Sequence, residues 1–135
     1  MRLSRAYHAV VTRNEQRLLF FWLPPLSWAA LLFVASATTF PPGLPLGPVE
    51  HLPHADKVLH AGLYAVLALL LRRALRDEQR WAGWQAALGA LALASLYGVT
   101  DEFHQWFTPG RTMDFWDWTA DTLGAAVVLL RPGKP

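Results

Sequence analysis

Three groups of residues carry types that could do chemistry. Asp56, Lys57, His60 and Tyr64 form the first, and Asp101, Glu102, His104 and Gln105 the second. The third runs from Arg111 through Asp114 and Asp117 to Asp121. Asp56, His60 and Tyr64 are four apart, Tyr97, Asp101, His104 and Gln105 recur at helical spacing, and Asp114, Asp117 and Asp121 sit at i, i+3 and i+7. Residues so spaced share a helix face. Six carboxylates in these groups stand against only Lys57 and Arg111. Ionising all of them in a poorly solvated place is costly unless protons, a cation or a basic ligand compensate.

Three chemistries could use this set. A hard cation could sit among the carboxylates with His60 or His104 assisting, although no HExxH or EF-hand pattern specifies a metal. Acid–base catalysis could use Asp101, Glu102 and His104, with Asp56 and His60 as support and water as nucleophile. A cavity could instead bind an amphiphile, with Arg111 and Lys57 on its acidic headgroup and tryptophans along its apolar part. The ligand-binding set is then Asp56, Lys57, His60, Tyr64, Gln105, Arg111, Asp117 and Asp121. A purely structural role competes with all three: Asp56 could cap a helix, and Arg111 could pair with Asp114 or Asp101.

The elements that must position these residues are four apolar runs, Leu18 to Ala37, Val58 to Leu71, Trp81 to Val99 and Phe115 to Leu130. A spanning helix needs about 20 mostly apolar residues. The first and third runs meet this alone; the others need polar residues at one end. In the 135-residue chain, charged residues are 16 %, against roughly 25 % in soluble domains. The third run has only Gln85 and Ser95 as clearly polar members, so it lacks the polar face of a soluble bundle helix. The expectation is an all-α, integral membrane four-helix bundle with helices near 18–37, 57–75, 81–103 and 115–131. A basic segment, 1–17, precedes it as a surface helix or frayed tail. Ten Lys and Arg residues fall in the N-terminal segment, the 72–80 loop and the tail; only Lys57 and Arg111 fall in the other two loops. The positive-inside rule then puts both termini in the cytoplasm and the polar groups at the outer face. The first outer loop, 38–57, is proline-rich and reads as an irregular crossover. Ala35-Ser36-Ala37 resembles a signal-peptidase site, but the run before it is long for a signal peptide, so the first helix is expected to be retained. A net charge of +2 gives no nucleic-acid footprint, and the absence of cysteine excludes disulfides and thiolate metal sites. The bilayer is the expected partner; no cofactor or oligomeric state is specified.

The ordered motifs resemble the VanZ-like family of small bacterial membrane proteins. The family pattern pairs D-K-x-x-H-x-x-x-Y with Y-G-x-x-D-E-x-H-Q, then P-G-R, an Asp, and an Asn-or-Asp-x-x-Gly helix. Here these are Asp56, Lys57, His60 and Tyr64; Tyr97, Gly98, Asp101, Glu102, His104 and Gln105; then Pro109, Gly110, Arg111, Asp117, Asp121 and Gly124. The match covers residues 56–130. Asp121 stands where many members have Asn, which adds a carboxylate. The resemblance implies a multi-helix protein of the bacterial cell membrane, with a possible lipid-linked or amphipathic envelope ligand. The family's namesake is associated with glycopeptide (teicoplanin) resistance.

Overall fold

The computed structural model describes residues 2–37 and 54–130, with the side chains of the first helix described from residue 14 onward. The proline-rich crossover at 38–53 and the tail at 131–135 lie outside the described residues. Among the described residues there are four α-helices and no strand: α1 Arg2–Ser36, α2 Ala55–Asp77, α3 Gly83–Trp106 and α4 Phe115–Ala125, whose end tightens into a 3-10 segment, Ala126–Leu130. The expected boundary at 17/18 is not a break, because α1 is one helix on both sides of it. It continues through Pro24 and Pro25, which remove two backbone donors but do not end it. The third helix runs past 103 to Trp106 and so carries the whole polar group Asp101–Gln105.

Contacts between helices give their directions. Trp28 Nε1 donates to the Leu63 carbonyl, and Arg17 reaches Glu78 and the Asp77 carbonyl, so α1 and α2 are antiparallel. Lys57 meets Asp114 and His60 meets Asp121, so α2 and α4 run parallel. Ser95 meets Thr122 and Glu102 meets the Asp114 backbone, so α3 opposes α4. The C-terminal ends of α1 and α3 thus share one end of the bundle with the N-terminal ends of α2 and α4. The expected polar groups are all at that end. Arg17, Arg73, Arg76, Asp77 and Glu78 mark the other.

Small residues let the helices approach. Ala86, Ala90, Ala94 and Gly98 recur every four residues on α3 and are buried, a spacing that brings helix backbones together. Gly124 is the tightest case, since a Cβ there would overlap the carbonyl oxygen and Cα of Ala61. The main core joins Leu32, Tyr64, Leu67, Ala68, Ala87, Ala94, Ala125 and Val128.

The surface reverses the usual pattern. Leu19, Phe20, Leu23, Leu26 and Val34 of α1 are exposed, as are Leu96 and Phe103 of α3 and Trp116 and Leu123 of α4. Asp101, Glu102, Gln105 and Asp121 are buried. Two helical stretches, Asn14–Ser36 and Ala55–Asp77, are long and apolar enough to cross a membrane, rather than the four expected. The other two helices are those that bring Asp101, Glu102, Asp117 and Asp121 into the bundle, and the fourth is short.

The two glycines of the α2–α4 pair separate packing from propensity. Gly124→Ala should destabilise the detergent-purified protein by about 1–3 kcal/mol through overpacking. Gly62, with nothing within 4 Å of its added Cβ, should gain about 0.5–1 kcal/mol on change to Ala from helix propensity. Thermal unfolding of both variants checks this, and equal shifts would contradict the close α2–α4 contact.

Candidate functional site

The site begins where α2 and α4 start. Asp114 is the N-cap of α4: its side chain accepts the Trp116 N–H at 2.8 Å, satisfying an otherwise unpaired helix donor. Its other oxygen is 2.7 Å from Lys57 Nζ. Asp117, one turn on, is 2.5 Å from the same ammonium, and Asp56 is 3.1 Å away. Lys57 therefore ties the first turns of two parallel helices together and is outnumbered three to one by carboxylates. Lys57 also lines an apolar groove of about 400 Å³ beside α4, with His54, Trp116, Thr119, Ala120 and Leu123.

One turn deeper lies a second layer. His60 Nδ1 is 2.9 Å from Asp121 Oδ1, and its Nε2 is 3.9 Å from Asp117. Glu102 of α3 enters from the third side, its Oε2 accepting the Asp114 backbone N–H at 2.7 Å. One ligand-capable atom from each of His60, Glu102 and Asp121 lies within 4.8 Å of the others. Gly98 makes the space: a Cβ there would sit 3.2 Å from Asp121 Oδ2 and 3.4 Å from the Tyr64 ring. The Tyr64 hydroxyl, Asp101 Oδ1, Glu102 Oε1 and Asp121 Oδ2 are buried without a hydrogen-bond partner. A buried carboxylate without compensation costs several kcal/mol, so this layer is built for a proton, a cation or a polar guest.

The structure sorts the expected site residues. His60, Tyr64, Glu102, Asp117 and Asp121 converge, with Asp101 and Gln105 buried beside them; Gln105 Nε2 donates to Asp101 at 3.4 Å. Asp56 is exposed, and among the described residues its ion pair is with Lys57. Each four-residue step along a helix overshoots a full turn by about 40°, so Asp56 has drifted from the face of Tyr64. It is not the cap of α2 either; that place is held by His54. His104 points to α1, stacked on Phe33 with ring centroids 4.0 Å apart and 3.4 Å from Ser36 Oγ. It lies two residues from Glu102, close to opposite sides of one helix. The pairing of Arg111 with Asp114 or Asp101 is not formed. Its Nε is buried with no hydrogen-bond partner, and among the described residues no carboxylate forms an ion pair with it. Sequence reasoning did not select Ser95 and Thr122, whose hydroxyls lie 2.8 Å apart, or Trp118, which donates to the Ser95 carbonyl. The spacing of Ser95, Gly98 and Glu102 on one helical face was the available signal.

A family model described as VanZ/LLP1 matches residues 4–130, so it takes in α1 as well as the three motif-bearing helices. The chain belongs to that family. Neither a curated protein nor a solved structure matches it significantly.

Asp114 offers a local reading of the Lys57 hub. The Lys57 ammonium, and then the Trp116 N–H, hold its carboxyl below the ordinary aspartate range. A depressed folded pKa contributes stability that is complete at neutral pH and is lost as pH falls through the depressed value. Lys57→Met should move the carbon-13 carboxyl titration of Asp114 upward, toward the ordinary aspartate range. An unmoved midpoint would show that Lys57 does not hold this carboxylate.

Proposed function

We propose that this VanZ/LLP1 protein is a multi-span protein of the bacterial cell membrane, with both ends in the cytoplasm, that binds an amphipathic envelope ligand through an acidic headgroup at its outer end. The observation that carries the ligand reading is Arg111. A guanidinium in a carboxylate-rich end, with no carboxylate paired to it among the described residues, is left for an external anion, and its fork suits phosphate or carboxylate. Lys57, expected from sequence as a second anion contact, is ion-paired with Asp56, Asp114 and Asp117, which weighs against its holding the headgroup as well. Its part is to fix the α2–α4 mouth. The apolar groove lined by Trp116, Ala120 and Leu123 suits the ligand's hydrocarbon part.

The membrane reading rests on the family, the two long apolar helices and the exposed apolar surface around a polar interior. In water that surface would be unfavourable by roughly 25 cal/mol per Å² of exposed apolar area. The orientation rests on the Lys and Arg distribution. Docking of α1 through Trp28 and Ser36 supports its retention as part of the mature bundle. Teicoplanin resistance is an association of the family's namesake; if this chain contributes to it, the contribution runs in this reading through the bound envelope ligand.

A second reading rests on the buried His60–Asp121 contact. An imidazole held by a carboxylate is a competent general acid or base, and Glu102 stands beside it. His104, turned to α1, is a poorer choice for that role.

Native mass spectrometry of the full chain in detergent tests the ligand reading. The wild type should carry a co-purified anionic amphiphile, and Arg111→Ala should lower its occupancy roughly tenfold or more, the loss of a charge-assisted contact. The thermal midpoint should hardly change, since no described protein group depends on Arg111. Unchanged occupancy, or a ligand loss matched by a loss of stability, would overturn it. A chemically altered ligand that Glu102→Gln leaves intact would instead carry the catalytic reading.

A further inference from the structure

The deeper layer has an imbalance that its own residues do not resolve. Carboxylates accept hydrogen bonds and donate none. Asp101 Oδ1, Glu102 Oε1 and Asp121 Oδ2 are buried acceptors without partners, and the buried Tyr64 hydroxyl could satisfy at most one of them. Tyr64 is 1 % exposed, Glu102 1 % and Asp121 0 %. Each unsatisfied group costs about 1–3 kcal/mol, and more when charged. Charge gives the same result. Asp101, Glu102 and Asp121 bring three negative charges; His60 can return one, and Lys57 is held by the three outer aspartates. An excess of two negative charges remains.

We propose that His60, Glu102 and Asp121 form a binding site for a first-row divalent metal cation, one ligand from each of α2, α3 and α4. Their ligand atoms lie within 4.8 Å of one another, and tetrahedral ligands about 2.1 Å from one ion stand roughly 3.4 Å apart, so the side chains close by up to about an ångström when all three bind it. The 2.9 Å separation of His60 Nδ1 and Asp121 Oδ1 already suits two adjacent ligands of such an ion. Asp117 stands near the other ring nitrogen, at 3.9 Å, where a ligating imidazole keeps a carboxylate partner. The Asp114 N–H orients Glu102 through the oxygen not needed for the metal. One imidazole with two carboxylates favours Mn²⁺ or Zn²⁺ over Mg²⁺ or Ca²⁺. Tyr64 flanks the same space: its ring edge and Asp121 Oδ2 are 3.4 and 3.2 Å from one point beside Gly98. The site goes beyond the Arg111 reading and does not depend on it.

The test equilibrates the detergent-purified full chain with Mn²⁺ or with Zn²⁺, removes free metal and measures the bound ion by elemental analysis. The expected result is close to one equivalent of either ion, reduced at least tenfold in Glu102→Gln and Asp121→Asn and unchanged in Arg111→Ala. Should those two variants fail to fold, pulsed electron paramagnetic resonance of the Mn²⁺-loaded wild type decides, with coupling to one imidazole nitrogen expected. No retained metal in the wild type, equal retention in the folded variants, or bound Mn²⁺ without nitrogen coupling would each overturn the site. A Zn²⁺- and Mn²⁺-free wild type alongside a stabilised Asp121→Asn would assign the charge balance to protons.

Discussion

His60 and Asp121, one from each of two parallel helices, meet at 2.9 Å where the aspartate has no exposed surface. Most of the bundle follows from that contact. It fixes the register of α2 against α4, and Gly124 against Ala61 one turn further on lets the backbones close enough to make it. Gly98 on α3 leaves the space that Asp121 Oδ2 and Tyr64 occupy. Lys57, one turn toward the helix starts, neutralises part of the acidic mouth and offsets the repulsion of Asp56 on α2 against Asp114 and Asp117 on α4. Buried ion pairs are weak sources of net stability, but removing one partner is strongly destabilising. The pair therefore bears more on the register of α2 against α4 than on the size of the folding free energy.

The distribution of polarity gives the bundle its character. Apolar side chains of α1 face outward, while Asp101, Glu102 and Gln105 of α3 and Asp121 of α4 are buried. In the membrane reading there is little hydrophobic force between helices, and association rests on close packing of small residues and on interhelical hydrogen bonds. The structure has both. Ala86, Ala90, Ala94 and Gly98 supply the small face of α3. Ser95 with Thr122, Trp118 with the Ser95 carbonyl, Trp28 with the Leu63 carbonyl and Tyr97 with the Ala29 carbonyl supply the bonds. Trp28 and Tyr97 also help join α1 to the motif-bearing helices, with Arg17 on Glu78 and Ser36 beside His104.

Much of this was legible in the sequence, for identifiable reasons. Apolar runs placed the helices, and the four-residue spacing of His60 and Tyr64 placed both on one face of α2. The i, i+4 relation of Asp117 and Asp121 placed both on one face of α4. Where the sequence misled, small angular errors were responsible. Asp56 fits a repeat of four but lies at the first turn, where drift and solvent take it outward. His104 is near Glu102 in sequence but opposite in direction, and only the position of Phe33 and Ser36 reveals its partners. The occupation of Lys57 by three carboxylates, and the lack of a carboxylate ion pair to Arg111 among the described residues, were beyond reach because they depend on how α4 docks. The same holds for the end of α4, whose 3-10 tightening has no marker in Ala126–Leu130.

The central claim is that this polar centre opens outward from a bundle set in the membrane. The chain has no cysteine, so single-cysteine variants report without background. Thr112→Cys in the turn before α4 and Gln79→Cys in the loop after α2 sit at opposite ends, and both native residues are exposed. Labelling with a membrane-impermeant maleimide in intact spheroplasts should modify Thr112→Cys at once and Gln79→Cys only after permeabilisation. The reverse order, or equal labelling of both in intact spheroplasts, would contradict the account.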